Sequence, residues 1–297
     1  MSFINTITIL VILNVLLRKS NMSQDRGLLG GKLFEYLDEL ARRLRGTMIL
    51  FIIVFFGIFL LGPVPFTFYG YSLFYPFPSF YNSFGVVLLK LMERGLVPPK
   101  MFLINISPFD IIVSVVYIAL AVSISVIIPV LSFQLISFAK TALYPRERKM
   151  ITFSIVPILV LFITGVVFAM KLIIPILFHV IYAFALDVGV IPTIGILQFV
   201  SIVVLITAGM GAVFETPIVV FSLSYIGVVP PSTWFKNWRY AIIGAFFIAL
   251  LISPGATGGI MEVTIALIII ALYFSGALLA RWVVNKKYQV REKTTAT

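Results

Sequence analysis

Cysteine is absent from the 297 residues, and histidine occurs once, as His179. The first absence removes disulfides, thiol nucleophiles and thiolate metal sites together. The second argues against a zinc, haem or di-iron centre, so no cofactor and no metal are expected. Charge is also scarce: 11% of residues are charged and 61% are hydrophobic, where a soluble domain carries about a quarter charged. A water-soluble globular enzyme is thereby excluded, and the chain reads as a membrane protein. A helical span needs about 20 predominantly apolar residues, so the length holds six or seven spans with their loops and no separate soluble domain.

Apolar stretches fall at about residues 3–17, 46–62, 111–133, 151–178, 195–222, 240–253 and 261–280, each predicting a helix. The formal net charge of +11 is not spread evenly between them. Alternate connections hold Arg18, Lys19, Arg26, Lys32, Arg42, Arg43 and Arg45; Lys140, Arg146, Arg148 and Lys149; Lys236 and Arg239; and Arg281, Lys286, Lys287, Arg291 and Lys293. The other connections hold only Lys90, Arg94 and Lys100, with Lys171 in or at the end of a span. Basic loops stay on the cytoplasmic side, which predicts a multi-pass cell-membrane protein with its C-terminus in the cytoplasm. The basic residues are dispersed and not interleaved with exposed aromatics, so nucleic acid is not an expected partner.

The expected fold class is all-α, a polytopic membrane bundle of six core transmembrane helices. Residues 1–21 leave two readings open. They form an extra N-terminal anchor, or they precede a native start at Met22, and residues 22–297 form a single membrane domain either way. A removable signal peptide fits poorly, because no basic residue precedes the apolar core and no small-residue cleavage pattern follows it. The longest outward connection, Gly62 to Ser107, carries six prolines and a run of aromatics from Phe66 to Tyr81. It predicts a cap in the outer interface, where aromatic rings settle and proline limits regular spans, with a short helix at about 86–92.

Three places set polar chemistry in an apolar context. In Lys32 to Leu44, Leu33, Tyr36, Leu37, Leu40 and Leu44 recur at helical spacing, leaving Glu35, Asp38, Glu39, Arg42 and Arg43 largely on the opposite face. This predicts an amphipathic helix along the inner surface, read most simply as an anchor leading into the next span. In the connection starting at Pro129, Gln134, Phe138, Tyr144 and Glu147 stand out. Glu147 is an isolated acid among Lys140, Arg146, Arg148 and Lys149, and neutralising those neighbours, worth about 0–1 kcal/mol, is its plain alternative. In AVFETPIVV, Glu215 is ionisable inside an apolar run, with Pro217 predicting a kink beside it. Such a group costs about 2.5–3.5 kcal/mol on insertion scales and faces a bundle interior or wet cavity. A purely structural carboxyl tying two helices together is the alternative.

In order, the chain shows an EL.RRL-like amphipathic opening, SPF before a span, P....Q...F.....Y..E in the next inner loop, FE.P in a later span, and a short final hairpin with SP at its tip. Each motif is weak alone; in this order and spacing, from about Lys32 to Trp282, the chain resembles the TatC family, receptor subunits of the twin-arginine protein translocase. The resemblance implies a six-span receptor that binds the twin-arginine signal peptides of folded export substrates and nucleates an oligomeric export complex with single-span partner subunits in the lipid bilayer. Carried over by position, it implies signal-peptide-binding roles for Glu39, Phe138 and Glu147, and makes Glu215 the family's buried glutamate. The chain departs from the common pattern at Tyr36, Ala41 and Ala256. The chemistry agrees with the implied role, since each planar guanidinium of an arginine pair takes a carboxylate bidentately. The competing reading is a proton-coupled secondary transporter using Glu215, which the absence of a convincing internal repeat disfavours. An enzyme is not expected, because no nucleophile and base are spaced to build a reaction.

Overall fold

A computed structural model describes residues 26–68, 71–139, 155–253, 255 and 258–295. Helix α1 (Arg26–Leu60) runs directly into a two-stranded antiparallel ribbon of β1 (Leu61–Phe68) and β2 (Tyr71–Pro78). Then come α2 (Phe84–Leu96), β3 (Phe102–Ile104) and α3 (Asp110–Ala139). A long helix follows, formed by α4 (Ile155–Phe168), a π-helical turn (Ala169–Ile173) and α5 (Ile174–Asp187). Strand β4 (Thr193–Gly195) leads into α6 (Ile196–Phe214) and α7 (Thr216–Tyr225), and α8 (Pro231–Lys236), α9 (Trp238–Ile252) and α10 (Ile260–Thr295) complete the chain.

Four helical segments are long and apolar enough to cross a membrane: Asp110–Gln134, Val156–Asp187, Ile196–Tyr225 and Ile260–Val283. Two shorter apolar helices, Leu44–Leu60 and Trp238–Ile252, bring the described bundle to the six core helices expected from sequence. The stretch 3–17 lies outside the described residues. Two expectations change. The opening segment is not a separate surface helix: α1 is continuous for 35 residues, because no proline interrupts it and Gly46 alone does not stop a helix. The prolines of the outer connection do not prevent regular structure either, since they fit the β1–β2 ribbon at positions where a missing N–H does no harm.

Lipid is as apolar as leucine, so helices in a membrane associate through close packing more than through apolar burial. The core accordingly combines large side chains with small ones that let backbones approach. Phe178 of α5 stacks on Phe199 of α6 with centroids 5.3 Å apart, both fully buried. A Cβ at Gly165 would fall 2.6 Å from the Met210 carbonyl oxygen, and one at Gly276 would fall 2.7 Å from Pro217 Cα. The end of the bundle carrying the ribbon is tied together by the parallel pairing of β3 with β4. There α3 starts with a reciprocal cap: the Ser107 N–H donates to Asp110 Oδ2 at 3.0 Å, and the Asp110 N–H donates to the Ser107 carbonyl at 3.0 Å. The SPF motif is therefore a helix start.

Candidate functional site

Glu215 occupies the break between α6 and α7. Proline at 217 has no N–H to return to the preceding turn, so the chain tightens there. The Glu215 N–H donates to the Ala212 carbonyl, and the helix resumes at Thr216. Pro217 is buried against Gly276 of α10. This arrangement turns the Glu215 side chain inward, where the residue is only 3% exposed. One carboxyl oxygen, Oε2, accepts a hydrogen bond from the Ser132 hydroxyl of α3. The other, Oε1, is buried with no hydrogen-bond partner among the described residues. An unsatisfied buried polar atom costs about 1–3 kcal/mol, and this oxygen has its acceptor position open.

Two residues further along α3, the Gln134 amide donates to the Thr47 hydroxyl of α1 at 2.8 Å, while that hydroxyl donates to Gln134 Oε1 at 3.1 Å. Together, Ser132 and Gln134 link α3 to the Glu215 break and to α1. Beyond this link, toward the basic end of the bundle, α1 continues backward through Glu39 and α3 continues forward to Phe138. Eight residues separate Glu39 from Thr47, about 12 Å of helix, and four separate Phe138 from Gln134, about 6 Å. The backbone thus puts Glu39 and Phe138 at the same end of the bundle. Glu147 lies outside the described residues.

A second buried acid escaped the sequence reading. Glu262, in the first turn of α10, is 7% exposed and accepts from the Ser253 hydroxyl at 2.7 Å. The signal was available: IMEVTIAL is an ionisable residue in an apolar run, the same pattern that marked Glu215. The Ser253 of the SP tip therefore has a definite job, closing the α9–α10 hairpin across glycines with positive φ at 255, 258 and 259. Among the described residues no group of three or more His, Asp or Glu is gathered closely enough to hold a metal.

A profile described as Sec-independent protein translocase protein (TatC) matches residues 35–267. The chain belongs to the TatC family. Its TatC relatives include the Sec-independent protein translocase protein TatC of Cenarchaeum symbiosum, 28% identical over 83% of this chain and 93% of that protein. The TatC of Carboxydothermus hydrogenoformans is 27% identical over 69% of this chain and 84% of that protein. Crystal structures of the twin-arginine translocase receptor TatC superpose with TM-scores of 0.67 and 0.65. They are 24% and 25% identical and cover 83% and 82% of this chain and 98% and 99% of theirs. The helical membrane bundle is thus the TatC fold, and the chain is a multi-pass component of the Sec-independent protein translocase, working within a protein complex and not as an enzyme. These relatives give no support to a secondary transporter driven through Glu215.

Proposed function

We propose that this chain is the signal-peptide receptor of its translocase. It takes up twin-arginine signal peptides at the basic end of the bundle and nucleates assembly of single-span partner subunits in the cell membrane, with its C-terminus in the cytoplasm. Membership of the TatC family, over residues 35–267, carries the reading. The binding surface is formed by Glu39, Phe138 and Glu147. An acid on α1 and an acid in the following connection of that end can each take one guanidinium of the arginine pair in a two-hydrogen-bond fork, while Phe138 packs against the apolar residues that follow. Glu215 serves a later step, in which its open oxygen receives a partner or signal-peptide group within the membrane.

The test is direct binding. The full chain in lipid nanodiscs is titrated with a labelled twin-arginine signal peptide and with its Lys-Lys variant. Preference for Arg-Arg is expected, because an ammonium cannot make the fork. Equal binding of both peptides, or of neither, contradicts the receptor reading.

A further inference from the structure

Between Arg45 and Lys90 the chain has no charged residue. The helical part of this interval, Gly46 to Leu60, is about 15 residues and reaches about 22 Å, whereas a bilayer hydrocarbon core is about 30 Å thick. About 8 Å remains, and the chain covers it not as helix but as the start of the β1–β2 ribbon. At about 3.3 Å per strand residue, two or three residues at the ribbon base lie at hydrocarbon depth. A bare two-stranded ribbon is poorly suited to lipid, because both strands are edges and each outward backbone N–H lacks a partner.

The register resolves that conflict. Pro63 stands directly opposite Pro76. Neither has an N–H, so this pair cannot be the kind that exchanges hydrogen bonds, and antiparallel pairs alternate between the two kinds. Leu61, Pro63, Pro65 and Thr67 of β1, and Ser72, Phe74, Pro76 and Pro78 of β2, therefore occupy the positions whose backbone faces outward. All four prolines of the ribbon fall in this set, and in the base half they fill four of its six positions. The outward set at the far end is the Thr67–Ser72 pair, which with Tyr71 and Tyr75 makes up the hydroxyl-bearing residues of the two strands. The base has thus lost most of its outward donors, and the tip keeps them. Edge strands in water are commonly blunted by lysine or other charges; here proline alone does it. Tyr75 and Phe77, next to the prolines of β2, are 43% and 51% exposed.

From these observations we infer that the β1–β2 ribbon is a lipid-embedded anchor. Its proline-lined base completes the first membrane crossing through the hydrocarbon of the leaflet away from the basic end, and its Thr67–Ser72 tip reaches the headgroups. The occupant of its exposed faces is lipid, in continuity with the exposed surface of α1, where Ile49 and Ile53 are 53% and 63% exposed.

Because the chain has no cysteine, single labels can be introduced without background. Phe77→Cys, opposite Gly62 at the ribbon base, with Ile53→Cys as lipid reference and Arg94→Cys as aqueous reference, is spin-labelled in the full chain in nanodiscs. Collision rates with oxygen and with a water-soluble nickel chelate are then measured. The ribbon label is expected to match the Ile53 site, with nickel access several-fold below that at Arg94 and oxygen access high. Nickel access equal to that at Arg94 places the ribbon in water and overturns the proposal. Low access to both reagents means that a second copy or another protein covers it, which overturns it equally.

Discussion

A carboxyl group with one oxygen bonded and the other left open, as at Glu215, separates two roles that a single deletion would confuse. Glu215→Gln keeps an oxygen able to accept from Ser132 and changes only the open side and the charge. The variant should unfold at the parent temperature in detergent and still bind signal peptide, yet support less export. Glu215→Leu also loses the Ser132 hydrogen bond, which contributes about 1 kcal/mol, and should unfold earlier. If both variants export like the parent, Glu215 is only structural. Close packing gives a second prediction at this scale. A Cβ at Gly276 meets Pro217 backbone at 2.7 and 2.8 Å, and backbone cannot step aside, whereas one at Gly244 meets nothing within 4 Å. Gly276→Ala should cost about 1–3 kcal/mol as overpacking, and Gly244→Ala should be neutral or slightly stabilising, both read from thermal unfolding in detergent. What was legible here was chemistry in the wrong solvent: Glu215 declares itself in AVFETPIVV. Its partner Ser132 lies 83 residues away, and no local pattern could have paired them. Glu262 declares itself in the same way in IMEVTIAL.

Among the elements, α9 is the one whose length matters most. Its 15 residues reach about 22 Å, well short of a hydrocarbon core of about 30 Å. The hairpin tip is correspondingly deep. Ile252, the last residue of α9, packs against Gly209, 13 residues and about 20 Å along α6 from its start at Ile196. Thinning of the bilayer is one way to meet such a mismatch, and we propose that it occurs at this edge and lowers the barrier to moving a protein across. Inserting about four leucines, roughly one helical turn, in α9 should therefore depress export while leaving peptide binding intact; undiminished export would contradict the thinning. Spans were legible because hydropathy over 20 residues is a strong signal, and the short α9 was already marked by Tyr240 and Pro254. The β1–β2 ribbon was not. Its prolines read as breakers of regular structure, and their harmlessness depends on a cross-strand register that only the paired strands display. The continuity of α1 was hidden for a related reason, since a change from amphipathic to uniformly apolar composition marks a change of surroundings and not a turn in the backbone.

At the scale of the molecule, the asymmetry of charge and the asymmetry of structure coincide. The ribbon and the β3–β4 pairing share one end, toward which the shorter α9–α10 hairpin points; the start of α1, the end of α3 and α8 share the other. At that second end Arg281 lies 5.8 Å over the Phe235 ring, and Tyr273 donates to the Trp234 carbonyl at 2.9 Å. Arg42, Arg45, Lys236, Arg239 and Arg281 fall on this second side and only Lys90, Arg94 and Lys100 toward the first, so a reporter fused after Lys287 should be cytoplasmic and one inserted near Pro76 external; the reverse at either position would overturn the orientation. The receptor role is tested most directly by the ratio of Arg-Arg to Lys-Lys signal-peptide affinity, measured for the parent chain, Glu39→Gln and Glu147→Gln in nanodiscs. If the two carboxylates receive the arginine pair, each variant should bind the Arg-Arg peptide about 1.5–3 kcal/mol more weakly, the scale of a hydrogen bond to a charged group, and should lose the preference over Lys-Lys. Their losses should be less than additive in the double variant, because groups sharing a ligand couple. Variants that bind more weakly but discriminate as the parent does would show that Glu39 and Glu147 only shape the surface against neighbouring basic residues, and would contradict the account.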